Sequence, residues 1–139
     1  MNARNTLTGS VLELMVLPSL SLGGYEYELQ KSIGTRPGGR KHKIDAVANK
    51  GNNSYLISLK WQQVSGTAEQ KVPFEVICLL DALRQNLQCQ KAYLVLGGDG
   101  WTLRDLYISG GLQQYLSHGD RVEIVTLERF VAKANKGQL

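Results

Sequence analysis

Residues Arg40–Gln62 read RKHKIDAVANKGNNSYLISLKWQ, and the alternation within this stretch decides the fold. Over Lys41–Ala48 the pattern predicts a strand with His42, Ile44, Ala46 and Ala48 on one face and Lys43, Asp45 and Val47 on the other. Asn49–Asn53 (NKGNN) carries the residues of a tight hairpin turn, and Ser54–Trp61 is rich in β-formers. Two strands joined by so short a turn bring Asp45 close to Lys60. On the second strand Leu56, Ser58, Lys60 and Gln62 share a face. Charges on strands that read as buried require a partner or a metal. A structural Asp45–Lys60 ion pair at the sheet edge accounts for them as well as a functional site does.

Working outward, Leu7–Leu17 predicts a helix, with Thr6 or Thr8 as its N-cap and Pro18 as its stop. Tyr25–Ile33 predicts a strand, and Gly34–Gly39 (GTRPGG) a turn. Downstream, Ala68–Gln88 predicts a helix on the spacing of Val72, Val76, Leu79, Leu80, Leu83 and Leu87, with Pro73 tolerated near its start. Ala92–Leu96 reads as a buried strand and Gly97–Gly100 (GGDG) as a turn. Leu103–Leu116 reads as a helix that Gly110-Gly111 interrupts, Val122–Leu127 as a final strand, and the segment after Ala132 as a basic, polar tail. The order is αβββαβαβ, which predicts an α/β fold with a mixed central sheet flanked by helices.

The 139 residues suit one domain spanning 1–139. The apolar runs Val11–Leu22 and Val76–Leu83 are too short or too interrupted to span a bilayer, and MNARNTLTGS is unlike a secretory signal. The expectation is a protein of the cytoplasm or nucleoid, neither secreted nor membrane-bound. Cys78 and Cys89 form no CxxC pair, and neither His42 nor His118 flanks them at zinc-ligand spacing, so they read as one buried thiol and one loop thiol. The formal charge of +4 is compatible with a polyanionic partner. Arg36, Arg40, Lys41 and Lys43 concentrate it immediately before Asp45. GGDG lacks the lysine of a phosphate loop, and Ser10, Ser65 and His118 form no nucleophile–base arrangement. Trp61 and Trp101 read as packing residues.

The run Arg40–Gln62, followed by VSGTAEQKVPFEV at Val64–Val76, resembles the PD-(D/E)XK nuclease superfamily, over roughly Gly34 to Leu83 and in element order beyond. The resemblance implies a restriction-endonuclease-like fold. It also implies Mg²⁺ or Mn²⁺ at the scissile phosphate, held by an aspartate on one strand and an acid-X-Lys triplet on the next. Asp45 matches the aspartate and Lys60 the lysine, with the main-chain carbonyl of Leu59 as a further metal ligand. Ser58 stands where the superfamily usually has Glu or Asp.

Three accounts of Ser58 follow. The acid has moved, Ser58 or Gln62 orients water or metal while Asp45 carries the charge, or activity is lost. Stepping about 100° per residue back along the predicted helix puts Glu69 in the arc of Val72, Val76, Leu80 and Leu83, facing the sheet, and leaves Glu75 exposed. Glu69 is therefore the expected replacement acid, although a carboxylate at a helix N-terminus has a dipole role of its own. The resemblance further implies a metal-facing glutamate on the first helix, and Glu13 is the residue there.

The function expected is a Mg²⁺-dependent endodeoxyribonuclease of restriction or homing type, acting as a homo-oligomer on DNA, with Arg36, Arg40, Lys41 and Lys43 on the phosphates. A Holliday junction resolvase, a repair nuclease, an inactive DNA-binding module of the same fold and an interaction domain that binds no nucleic acid are the alternatives.

Overall fold

The computed structural model describes residues 3–139. Five strands form one mixed sheet in the order β1-β2-β3-β4-β5. They are β1 (Glu26–Thr35), β2 (Lys41–Lys50), β3 (Asn53–Trp61), β4 (Cys89–Gly97) and β5 (Val122–Thr126). The two hairpins make β1, β2 and β3 antiparallel, while β4 and β5 join in parallel. Helix α3 (Val72–Gln85) and helix α4 (Arg104–Ile108) lie in the two crossovers that parallel pairing demands.

Each face of the sheet carries its own core. On one, Leu12, Val16, Leu20 and Phe130 cover Ala46, Ala48, Ile57, Leu59, Tyr93 and Val95. On the other, Val72, Val76, Leu79 and Leu83 of α3 cover Ile44, Val47, Leu56 and Leu94. β3 and β4 are buried on both sides, which is why their sequences are near-continuous apolar runs.

The structure departs from the sequence expectations at definite points. The first helix runs from Ala3 to Leu22 without stopping at Pro18, as α1 (Ala3–Val11), a π-helical turn (Leu12–Val16) and α2 (Leu17–Leu22). Proline has no N–H, and the wider turn accommodates it, with Leu17 N–H bonding back to the Leu12 carbonyl. Because the helix begins at Ala3, neither Thr6 nor Thr8 caps it. Both cysteines are buried, Cys89 as the first residue of β4 and not in a loop. A final helix, α5 (Leu127–Asn135), occupies what read as a strand end and a polar tail. Its signal was present: Thr126 caps it by accepting the Arg129 N–H at 3.2 Å, and Leu127, Phe130 and Ala134 recur at helical spacing.

The alternation of β2 also breaks. Ala46 and Ala48 face the α1–α5 side, but Ile44 and Val47, three apart, both face α3. The pleat changes phase at Asp45.

Candidate functional site

Strands β2 and β3 pair from Lys50↔Asn53 to Ala46↔Ile57, and the ladder then stops. The next residue along β2 is Asp45, whose Oδ2 accepts the Leu59 N–H at 2.7 Å. A carboxylate thus spans the gap where a main-chain carbonyl would have continued the ladder. Burial pushes the Asp45 carboxyl above its ordinary range. The Leu59 N–H and the Lys60 charge oppose that rise, and the nearby charge of Glu75 adds to it.

Ser58 and Lys60 project from β3 toward α3, alternating with Ile57 and Leu59 on the opposite face. The acid they meet is Glu75. Ser58 Oγ donates to Glu75 Oε1 at 3.2 Å, Arg36 Nη1 donates to Oε2 at 3.1 Å, and Lys60 Nζ lies 3.8 Å from the same oxygen. Glu75 is only 6% exposed. Burial by itself would raise its pKa. The charges of Lys60 and Arg36, with the hydrogen bonds from Arg36 and Ser58, outweigh burial and hold it below the ordinary carboxylate range.

The expectation that Glu75 is exposed and Glu69 faces the strand of Lys60 is therefore corrected. The buried residues of α3 are Val72, Glu75, Val76, Cys78, Leu79, Ala82 and Leu83, with Leu80 only partly buried. Counting Leu80 as core in place of Ala82 rotates the arc away from Glu75. In addition, Glu69 is not on the helix. Pro73 fixes the start of α3 at Val72, and Glu69 sits on a 3₁₀ turn, Ala68–Lys71, where steps of 100° do not apply.

Glu69 is instead an anchor for α4. Its Oε2 accepts the N–H groups of Thr102 (3.0 Å) and Leu103 (2.8 Å), its Oε1 accepts Thr102 Oγ at 2.6 Å, and its carbonyl takes the Tyr107 hydroxyl. The Thr102 hydroxyl hydrogen bond is the main reason its carboxyl titrates low. Gln62 belongs to the same region: Nε2 donates to the Gly100 carbonyl at 2.8 Å. The GGDG loop closes on the Gln62 backbone, with Gln62 N–H to the Gly97 carbonyl and Gly100 N–H to the Gln62 carbonyl. Gly98 has φ +89°, and a Cβ there would collide with the Gln62 carbonyl, so the loop needs glycine at that point.

Glu13 is exposed on the π-helical turn, on the sheet face opposite α3, and makes no ion pair among the described residues. Arg40, Lys41 and Lys43 are exposed on the β1–β2 hairpin, whose turn is closed by Arg36 N–H to the Arg40 carbonyl at 2.7 Å. Arg36 differs from them, because its guanidinium turns inward to Glu75.

Residues 4–138 match the family profile described as the PD-(D/E)XK nuclease superfamily domain. The chain belongs to that superfamily. Among solved structures, the crystal structure of the protein of unknown function AF1548 aligns with a TM-score of 0.53 at 14% identity, a likeness of fold. The alignment covers 80% of this chain and 54% of that one, so this chain spans about half the length of that neighbour. No curated protein matches.

Asp45 thus reaches β3 from β2, and Glu75 comes from α3 to the place beside Ser58. Two participants escape a reading of the sequence. Glu75 is hidden by the rotated arc. Gln30, on β1, has its side chain near enough to Asp45 to favour the charged carboxylate; no motif marks it, and its signal is conformational.

Proposed function

We propose that this PD-(D/E)XK superfamily member is a divalent-metal-dependent endodeoxyribonuclease in which Asp45 and Glu75 hold the metal and Lys60 acts on the scissile phosphate. The observation that carries this reading is the Ser58–Glu75 hydrogen bond. It puts a buried carboxylate from a helix beside the strand position where the motif lacks one, within 3.8 Å of the motif lysine.

The donor chemistry fits Mg²⁺ or Mn²⁺. Both carboxylates are hard oxygen donors, and Asp45 is a partly buried anion further destabilised by Glu75, so a cation beside it relieves that cost. No cluster of three His, Cys, Asp or Glu occurs among the described residues. Such a cation is bound through one or two carboxylates, a carbonyl such as that of Leu59, waters and substrate phosphate. Such an ion supplies neutralisation of the phosphodiester and acidification of a coordinated water. Lys60 stabilises the charge that develops on the phosphate. Ser58 orients Glu75. Arg40, Lys41 and Lys43 take the DNA backbone. Gln62 and Glu69 hold the GGDG loop and the start of α4 in place, and Glu13 has no role in the site.

A duplex has two strands and each chain one such cluster, so double-strand cleavage uses two copies of the chain. No helix among the described residues is long and apolar enough to cross a membrane. The test is nicking of supercoiled plasmid with Mg²⁺ or Mn²⁺. Asp45→Ala and Glu75→Gln are expected to abolish it with DNA binding retained, while Glu69→Gln keeps it. Full activity in Glu75→Gln with loss in Glu69→Gln would overturn the assignment of the acid.

A further inference from the structure

Gln30 lies in the middle of β1 with φ +50°, a left-handed conformation that a non-glycine residue rarely adopts within a strand. The strand continues on both sides of it. Leu29 pairs with Ala46 and Lys31 with Ile44, so the register is unbroken, yet the pair between them, Gln30 opposite Asp45, is missing from the ladder. The phase of the pleat also changes there in both strands. On β2 it changes at Asp45, between Ile44 and Ala46. Tyr25, just before β1, packs on the α1–α5 side, whereas Ile33, eight residues on and in phase with it for a regular strand, packs on the α3 side. A bulge would correct the phase of one strand and shift the register. Here one residue in the left-handed region turns the strand over and leaves the count intact.

Gln30 is exposed, so core packing does not account for the conformation. Uncompensated backbone strain collects where function requires it. What the turnover achieves is visible at Asp45. It lets Ile44 and Asp45, consecutive in sequence, both serve the α3 side, Ile44 in the core and Asp45 across the gap to Leu59 and next to Glu75 and Lys60. It also leaves the Gln30 side chain near the Asp45 carboxylate, where it favours the charged form.

We propose that Gln30 is a positioning residue for Asp45: its left-handed backbone turns the β1–β2 pair over at the site, and its side-chain amide holds the carboxylate in the geometry that accepts the metal. This rests on the reading of Asp45 as a metal-binding carboxylate.

The two possible roles predict opposite orders in a substitution series. In a left-handed conformation Gly is most at ease, then Asn, with Gln and Ala the least. If Gln30 serves the fold alone, Gln30→Gly improves stability and leaves metal affinity at the wild-type value. If it positions Asp45, Gln30→Gly is as stable as wild type or more so, yet binds Mn²⁺ on the order of tenfold more weakly, the usual cost of losing a residue that orients a ligand. Gln30→Asn, which retains an amide, falls between, and Gln30→Ala loses affinity and stability together. The measurements are Mn²⁺ binding to the DNA-free protein by calorimetry and thermal unfolding in EDTA. Wild-type Mn²⁺ affinity in Gln30→Gly, alongside weakened binding in Asp45→Ala, would overturn the proposal and leave the metal site standing. Unchanged Mn²⁺ binding in Asp45→Ala would remove the metal-site reading itself, and this proposal with it.

Discussion

Asp45→Asn should make the protein more stable at neutral pH while removing metal binding. The wild-type carboxylate is partly buried beside Glu75, and its pKa is raised by burial first and by that charge as well. A carboxyl whose folded pKa lies above its unfolded value binds its proton more tightly when folded. It therefore costs no stability in acid. The cost appears as pH rises through the unfolded value, about 3.9, and is complete once pH passes the folded value. Asparagine carries no charge at any of these pH values, and its Oδ1 still accepts the Leu59 N–H, so the bond spanning the ladder gap, worth about 1 kcal/mol, is kept. What remains is relief of a buried charge, a gain on the order of 1 kcal/mol, as is common when a site residue is made neutral. For a chain of this length that is roughly 3–5 °C in Tm. Thermal unfolding in EDTA at several pH values between about 3 and 8, spanning the carboxylate range, is the assay. The variant should match wild type at the acid end and draw ahead as pH rises. Added Mn²⁺ should raise the Tm of wild type alone. An Asn variant less stable than wild type at neutral pH, or a difference independent of pH, would refute the argument.

Glu75 carries the opposite sign: its folded pKa is depressed, so the stability from its ionisation is present at neutral pH and lost as pH falls through the folded value. Glu75→Gln should flatten the acid limb of the stability profile as well as stop cleavage, both read on one protein preparation. Glu69→Gln should lower Tm and loosen Arg104–Ile108, measured by amide exchange at Tyr107 and Ile108, with cleavage within a few-fold of wild type. Replacing Arg40, Lys41 and Lys43 by alanine should reduce the slope of log affinity for DNA against log salt by about one for each phosphate the hairpin no longer neutralises; an unchanged slope would take the hairpin off the DNA. Arg36→Ala should tighten Mn²⁺ binding to the DNA-free protein about fivefold, from an ion pair worth about 1 kcal/mol, and weaker binding would exclude competition between the guanidinium and the metal.

The hairpin from Lys41 to Trp61 was legible because period-two alternation and a glycine-containing tight turn are local signals, and they are enough by themselves to bring Asp45 and the Ser58–Lys60 face together. Glu69 was expected beside Lys60, and Glu75 stands there instead. A helical wheel is only as good as its phase, and the phase depends on which apolar residues are truly covered. Leu80 is larger than Ala82, yet Ala82 is the one wholly buried, since α3 lies close to the sheet there. Pro73 gave the remaining clue, marking where the helix begins and so where extrapolation back to Glu69 loses its meaning. The strained backbone at Gln30 and the change of phase at Asp45 left no mark in composition. Glutamine has no special liking for left-handed backbone, so the conformation is imposed by pairing with β2 and by what Asp45 must reach. Helix α5 was missed for a simpler reason: three buried apolar residues among charged ones look like a polar tail until the Thr126 cap is noticed.

The two carboxylates of the site are perturbed in opposite directions, and that asymmetry has a mechanical origin. Asp45 reaches its position by substituting for backbone in a strand ladder, where its nearest hydrogen-bond partner is a neutral N–H. Glu75 comes from a helix laid across the same strands, where the motif lysine and the hairpin arginine both find it. An acid that stays on the strand two residues before the lysine points to the same face as that lysine by the pleat alone. An acid that arrives from a helix needs something to fix its rotamer, and here Ser58 does so from β3 while Arg36 does so from the hairpin. Ser58 is thus part of the support that fixes the Glu75 carboxylate. Arg36 is a different kind of support. It pairs with Glu75, and its side chain is still 27% exposed, on the hairpin that carries Arg40, Lys41 and Lys43. A phosphate drawn to that hairpin competes with Glu75 for the guanidinium, and a cation drawn to Glu75 releases the guanidinium to the phosphate. Each ligand favours the other by the same factor, since coupling between two equilibria is reciprocal.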